Sequence, residues 1–98
     1  MIYCVDIDGV LCNTTSSLGY EDHEPYYDRI AKVNKLYDEG SIIKLFTARG
    51  SNSGIDWKDF TIKQLSNWGV KYHELRFGKP SADFFVDDKM IPLEIFFA

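Results

Sequence analysis

The sequence predicts an α/β protein with a mainly parallel five-stranded sheet and helices on the faces of that sheet. Short apolar runs alternate with segments whose apolar residues recur at helical spacing, over short loops. Several apolar runs end in polar residues, and the carboxyl ends of parallel strands are where such sheets bind ligands. The chain has 98 residues, so we predict a single domain spanning residues 1–98.

The five predicted strands are short. The first two are continuous apolar runs, typical of buried strands, and the third alternates between apolar and polar residues. The fourth is an apolar run that ends in carboxylates, and the last is the apolar C-terminal run. They cover residues 1–5, 42–46, 70–75, 82–88 and 93–98.

Two helices are predicted between the strands. Residues 26–39 carry apolar side chains at intervals of three and four, and Gly40 follows as a C-terminal cap. Asp56 is a plausible N-cap for the second helix, which runs to residue 68 before Gly69. Its expected inner stripe consists of Phe60, Ile62, Leu65 and Trp68.

Charged and polar side chains fall where the predicted strands end. Asp6 and Asp8 follow the first strand, Thr47 follows the second, and Asp87 and Asp88 end the fourth. Asp6, Asp8 and one member of the later pair would form an oxygen-rich site that suits Mg²⁺. A carboxylate beside Mg²⁺ can attack phosphorus to form an aspartyl-phosphate, and a second carboxylate can serve as general acid and base.

Three further residues complete this predicted site. Lys79, in the loop before the fourth strand, and the Thr47 hydroxyl would balance charge on a transferring phosphoryl group. Gly9 would let the backbone approach a ligand closely because it has no side chain. The pattern therefore predicts a phosphoryl-transfer site at the carboxyl edge of the sheet.

The same motifs resemble those of the haloacid-dehalogenase-like phosphohydrolase superfamily, over nearly the whole chain. "DIDGVL" resembles its first motif, "LFTAR" its second, the Lys79 loop its third and "FFVDD" its fourth. The resemblance implies a Rossmann-like three-layer α/β/α sandwich and a Mg²⁺ cofactor.

The resemblance also implies roles for individual residues. Asp6 would be the nucleophile, and Asp8 the general acid and base that also gives its backbone carbonyl to the metal. Thr47 and Lys79 would hold the phosphate. Asp88 would join Asp6 and Asp8 as a direct metal ligand, with Asp87 behind it.

The stretch from Gly54 to Lys89 resembles a narrower group, small phosphatases associated with capsular or other polysaccharide synthesis. This resemblance implies a small phosphorylated substrate, either a sugar phosphate or a sugar nucleotide. Many superfamily members carry a cap domain, but the gaps in this chain leave no room for one. We therefore expect an open site, covered only by a flap or by a neighbouring copy in a homo-oligomer.

Several residues have two readings at this stage. Gly9, Ala48 and Arg49 are predicted to contact substrate, although Arg49 is equally well explained as a solvated loop charge. His23 is a candidate catalyst in a small flap, against a structural histidine. Cys12 is a packing residue or, less readily, a catalytic thiol that would need a neighbouring base.

Composition limits the partners and the function. The net charge is −4 and no Lys/Arg run occurs, so nucleic acid is an unlikely partner. No membrane span or signal peptide is recognisable, and Cys4 and Cys12 are expected to be reduced, so we predict a cytoplasmic location. The predicted function is a Mg²⁺-dependent phosphomonoester hydrolase. The alternatives are a nucleotide or polynucleotide-end phosphatase and a catalytically silent binding module.

Overall fold

The computed structural model describes residues 1–14 and 19–98. The described elements are three strands, three α-helices and one 3-10 turn. In chain order they are β1 (Ile2–Asp6), the 3-10 turn (Tyr20–Asp22), α1 (Tyr27–Asp38), β2 (Ile42–Thr47), α2 (Lys58–Trp68), β3 (Glu74–Phe77) and α3 (Leu93–Phe96).

The three strands form one parallel sheet in the order β1-β2-β3. Val5 pairs with Leu45, and Leu45 pairs with Leu75, so one row of side chains crosses the whole sheet. The carboxyl ends of all three strands therefore lie along one edge, as expected for the α/β class, and that prediction is confirmed.

The hydrophobic core lies on one face of this sheet. Alternate residues of the strands, including Val5, Ile43 and Leu45, are buried against the apolar side chains of the helices. Ile30 of α1 and Leu65 of α2 belong to this same cluster. Both long helices thus cover the same face of the sheet, because their buried side chains pack in the cluster that contains Val5, Ile43 and Leu45.

The opposite face of the sheet is largely uncovered. Ile2, Cys4 and Ile42 are exposed there, whereas Val5 and Ile43, which alternate with them, are buried. The described residues therefore form two layers, and the prediction of a three-layer sandwich is wrong. A parallel sheet predicts helices on both faces, but it does not say on which face each crossover packs.

The five-stranded sheet is also a wrong prediction. Residues 82–88 form no strand, and Phe84 and Val86 are 87% and 98% exposed. Asp87 ends the run in a local turn, where its carboxylate accepts the Lys89 N–H at 2.8 Å. An apolar run of this length is typical of a strand. Here it forms no hydrogen-bonded strand pair and is not covered by a helix.

The last predicted strand is the short helix α3. The Pro92 carbonyl accepts the N–H groups of Ile95 and Phe96 at 3.0 Å, and proline suits a helix start because it needs no N–H partner there. Phe96 packs on Tyr3 with the ring centroids 5.5 Å apart. The aromatic contacts therefore fold the C-terminal run against β1 and α1.

The long helices lie close to their predicted bounds. Gly69 adopts the left-handed conformation with φ +74° and ends α2, as expected. The inner stripe of α2 differs from the prediction, because Ile62 is 40% exposed while Thr61 and Gln64 are buried. The third strand begins at Glu74 rather than at residue 70, because the N–H of Val70 caps α2 by donating to the Leu65 carbonyl at 3.0 Å.

No cap domain is formed by the described residues between β1 and α1, which make turns and one 3-10 turn.

Within residues 1–14 and 19–98, no helix has both the length and the apolar character that crossing a bilayer requires.

Candidate active site

The carboxyl edge of the sheet opens into a cavity of about 790 Å³. Asp6, the last residue of β1, and Asp8, two residues beyond it, both line this cavity. Its other lining residues come from the first loop, the loop after β2 and the loop after β3: Thr14, Gly19, Tyr20, His23, Ala48, Arg49, Trp57, Lys79, Pro80, Ser81, Ala82 and Phe85. The topology thus brings together five of the site residues that the sequence predicts: Asp6, Asp8, Ala48, Arg49 and Lys79.

Asp6 is paired with Lys79. The Lys79 ammonium lies 2.6 Å from Asp6 Oδ2, while Asp6 Oδ1 accepts the Ile7 N–H at 2.8 Å. The Lys79 loop is tied to the end of β2, because the Lys79 N–H donates to the Thr47 carbonyl at 3.2 Å. The ammonium is also 4.3 Å from the centre of the Phe85 ring. Asp6 therefore presents a carboxylate whose charge is balanced by a held cation.

Asp8 is held by Arg49 through two hydrogen bonds. Arg49 Nε donates to Asp8 Oδ2 at 3.0 Å, and Nη2 donates to Oδ1 at 2.8 Å. Arg49 is only 2% exposed, donates from Nη1 to Thr61 Oγ1 at 3.1 Å, and lies over the Tyr20 ring. The reading of Arg49 as a solvated loop charge is therefore wrong, and the guanidinium is a fixed wall of the cavity.

His23 and Cys12 lie against the same carboxylate. His23 Nδ1 is 3.0 Å from Asp8 Oδ1, and Cys12 Sγ is 3.5 Å from that oxygen and 3.7 Å from His23 Nδ1. Both side chains are buried. The sequence does not predict that Cys12 and His23 meet Asp8, because no motif spacing links residues in an irregular loop.

The charges around Asp8 alter the pKa of two groups. Burial raises the pKa of Asp8, but the hydrogen bonds and charge of Arg49, together with His23, outweigh burial and hold it below its usual value. Burial and the neighbouring Asp8 charge raise the pKa of the Cys12 thiol to about 12. In this arrangement Asp8 is an anion and Cys12 is a protonated thiol, so Cys12 is poorly suited to be a nucleophile.

The other predicted phosphate and substrate contacts are placed differently. Thr47 is fully buried, its Oγ1 accepts the Arg49 N–H at 3.1 Å, and it does not line the cavity. Ala48 lines the cavity directly. Gly9 does not line it, but its φ of +86° makes the turn in which its N–H donates to the Cys12 carbonyl at 2.9 Å. Thr47 and Gly9 thus position the residues that do face the cavity.

Asp87 and Asp88 are exposed and do not line the cavity. Phe85 is the nearest residue before them that reaches it. Within the described parts of the chain, one group of three potential ligands has all its ligand atoms within 4.8 Å of one another, Asp8, Cys12 and His23, and Asp88 does not belong to it. The assignment of Asp88 as a metal ligand and of Asp87 behind it stays a prediction.

Asp6 and Asp8 fit Mg²⁺ in donor type. Asp6 would offer a carboxylate oxygen and Asp8 its backbone carbonyl, and the open cavity leaves space for the waters that Mg²⁺ retains. The Asp6 carboxylate is already paired with Lys79, and the Asp8 carboxylate with Arg49. A bound divalent cation would therefore share the Asp6 carboxylate with Lys79 and leave the Asp8 carboxylate to Arg49.

Comparison with known proteins supports the fold. The chain is 28% identical to a target protein from Vibrio cholerae of known crystal structure, with a TM-score of 0.85 over 99% of this chain and 87% of the other. No family model matches the sequence, and no curated protein matches it. The small α/β architecture is therefore shared with a solved protein, while function has to be argued from the site.

Proposed function

We propose that the protein is a Mg²⁺-dependent phosphomonoester hydrolase of the haloacid-dehalogenase-like type. One observation carries the proposal: two carboxylates that follow the same strand line one cavity, and each is held by its own basic side chain, Lys79 on Asp6 and Arg49 on Asp8. Phosphoryl transfer needs this combination of a nucleophile, a proton carrier and fixed positive charge.

Asp6 is the proposed nucleophile. One oxygen of its carboxylate attacks phosphorus, the bond from phosphorus to the leaving oxygen breaks, and an aspartyl-phosphate forms. Lys79 is already within hydrogen-bond distance of that carboxylate, so its ammonium can follow the negative charge onto the phosphoryl oxygens. Mg²⁺, when held by the Asp6 carboxylate and the backbone carbonyl of Asp8, would neutralise phosphate charge during this transfer.

Asp8 is the proposed proton carrier. It gives a proton to the leaving oxygen, and in the second half of the reaction it takes a proton from the water that hydrolyses the aspartyl-phosphate. Arg49 keeps Asp8 ionised in the described state. A phosphate in the cavity would compete for the guanidinium, and weaker pairing with Arg49 would raise the pKa of Asp8 toward the range that proton donation requires.

The substrate proposed is a sugar phosphate or a related polysaccharide precursor. Three aromatic side chains line the cavity, Tyr20, Trp57 and Phe85, and they offer apolar surface to the organic part of a phosphomonoester. The same rings favour the second candidate, a nucleotide phosphatase, because a base stacks on an aromatic ring. A silent binding module is the third candidate, because both carboxylates are already neutralised by internal partners.

A chromogenic phosphomonoester separates an enzyme from a silent module. We expect turnover with Mg²⁺, loss of turnover with a chelator, and a phosphoprotein intermediate that hydroxylamine cleaves. No turnover with any member of a panel of sugar and nucleotide phosphates would reject the hydrolase. Preference within that panel decides between the two enzymatic candidates.

A further inference from the structure

Three side chains of types that bind metal ions meet beside the cavity, and the proposed phosphatase reaction uses only one of them. Asp8 Oδ1, Cys12 Sγ and His23 Nδ1 all lie within 4.8 Å of one another. Only Asp8 has a role in the proposed reaction. Cys12 and His23 have none, although both are buried and both point their heteroatoms at the same carboxylate oxygen.

The backbone holds this cluster in place. Isolated β-bridges join Cys12 to Asp8 on one side and to Pro25 on the other. The Asn13 N–H donates to the Glu24 carbonyl at 3.0 Å, and the Tyr26 N–H donates to the Leu11 carbonyl at 2.8 Å. The two ends of the first loop are thus hydrogen-bonded to each other. The three heteroatoms are positioned in advance of any ligand.

The spacing of the heteroatoms fits a tetrahedral ion. Bonds of about 2.3 Å to sulfur and about 2.0–2.2 Å to nitrogen and oxygen place the ligands of a tetrahedral zinc ion roughly 3.3–3.6 Å apart. The observed separations are 3.5 Å for Cys12 Sγ to Asp8 Oδ1, 3.7 Å for Cys12 Sγ to His23 Nδ1 and 3.0 Å for His23 Nδ1 to Asp8 Oδ1. Each lies within about 0.3 Å of the expected range.

We propose that Asp8, Cys12 and His23 form a site for Zn²⁺ or a similar borderline-soft divalent cation. Thiolate and imidazole select such ions over Mg²⁺, which prefers oxygen ligands only. Asp8 and His23 also line the cavity, so an ion can reach the cluster from it, and a water would complete four-coordination. This site is distinct in chemistry from the all-oxygen Mg²⁺ site of the proposed phosphatase, but shares Asp8 with it.

Binding at this site requires proton movements within the cluster. The Cys12 thiol loses its proton to solvent, and His23 ligates through Nδ1 and keeps its remaining proton on Nε2. The cation also competes with Arg49 Nη2 for Asp8 Oδ1. A bound zinc-like ion therefore removes Asp8 from proton transfer, so it inhibits the hydrolase; this consequence rests on the proposed function, whereas the site itself does not.

Cobalt spectroscopy on the metal-free protein tests the site without any substrate. We expect Co²⁺ to give the visible bands of tetrahedral cobalt and a near-ultraviolet band from thiolate ligation, and Zn²⁺ to abolish both. Cys12→Ser should remove the thiolate band and weaken Co²⁺ binding at least about tenfold. His23→Gln should weaken Co²⁺ binding by a similar factor. Cys4→Ser is the matched control, because Cys4 is an exposed free cysteine on β1 and should leave the spectrum unchanged.

A second measurement does not depend on whether Cys12→Ser folds. Zn²⁺ should raise the melting temperature of the Cys4→Ser protein in a concentration-dependent way, since a ligand of the native state stabilises it. Absence of a thiolate band in the folded wild type, loss of that band in Cys4→Ser, or absence of any zinc-dependent shift would each overturn the proposal. A protein that shows the band but hydrolyses no phosphomonoester rejects the proposed function and leaves the metal site standing.

Discussion

The first loop and the C-terminal segment both reach the cavity without belonging to the sheet, and they are built in opposite ways. In the first loop (residues 8–14 and 19–26), Leu11, Cys12 and His23 are buried. In the C-terminal segment (residues 81–95) every residue is exposed. The loop is held by backbone bridges and by the charge of Asp8, whereas the segment is anchored at its two ends.

This difference shows what fixes a non-regular segment. In the first loop, polar groups that are buried need hydrogen-bond or ionic partners. The Asp8 carboxylate has two such partners, Arg49 and His23. The C-terminal segment has apolar side chains that stay exposed. The more buried half of the site is therefore the half made by β1, the first loop and Arg49.

Replacing Asp6 should produce the largest effect, on catalysis alone. Asp6→Asn keeps the shape of the side chain but removes the attacking charge, so we expect turnover to fall by at least about 10³ with the fold retained. Steady-state kinetics and circular dichroism measure the two parts. Asp38→Asn is the matched control, because Asp38 is an exposed carboxylate paired with Lys71 on the outside of α1. Retained turnover in folded Asp6→Asn would remove Asp6 from the role of nucleophile.

The next effect compares the packed core with the C-terminal segment directly. Leu45 is fully buried, so Leu45→Ala should lower the free energy of unfolding by about 2–5 kcal/mol. Val86 is 98% exposed, so Val86→Ala should change it by no more than about 0.5 kcal/mol. Urea unfolding monitored by tryptophan fluorescence gives both values. A loss of similar size for Val86→Ala would mean that the C-terminal segment is packed in solution.

The sequence predicted the parts of the molecule that obey a simple period. The runs at β1 and β2 end at their polar residues as expected, and so the cavity carboxylates and Arg49 could be located in advance. The run at residues 82–88 has the same apolar character, but a strand also needs a partner, which no local pattern supplies. Likewise His23 meets Asp8 only through the fold of an irregular loop, for which the sequence has no periodic signal.

The two cysteines provide a third contrast, in reactivity. Cys4 is exposed, whereas Cys12 is buried and its thiol has a pKa raised to about 12. Because the thiolate is the reactive form, a raised pKa lowers reactivity at pH 8, and we expect Cys12 to react with a thiol reagent at least about 100-fold more slowly than Cys4. Mass spectrometry of the labelled protein distinguishes the sites, and denatured protein, in which both should react, is the control. Equal rates at both cysteines in the native protein would contradict the buried cluster.

The exposed side chains of the C-terminal segment also predict self-association. Its apolar residues lie together in the sequence as an uncovered stretch: Phe84, Phe85, Val86, Met90, Ile91, Leu93 and Ile95. Large exposed apolar surface is typical of an interface, so we expect a homo-oligomer. Val86→Asp should raise its dissociation constant about tenfold. Ser81→Asp is the control, because it adds the same charge to the same segment. Light scattering across a dilution series measures the state. A strict monomer with full activity at every concentration would reject this prediction.

The smallest effect concerns Asp88, which the sequence assigns to the metal although it is exposed in the C-terminal segment. If this segment moves onto the cavity when Mg²⁺ binds, Asp88→Ala should raise the Mg²⁺ concentration for half-maximal activity by up to about tenfold, with little change in stability. Such a movement breaks few interactions, because Asp87 makes mainly a local bond to the Lys89 N–H. A larger metal defect in Asp87→Ala would reverse the assignment within the pair. No shift in either variant would mean that Mg²⁺ is held by the β1 half of the site alone, and the C-terminal segment would then have no part in metal binding.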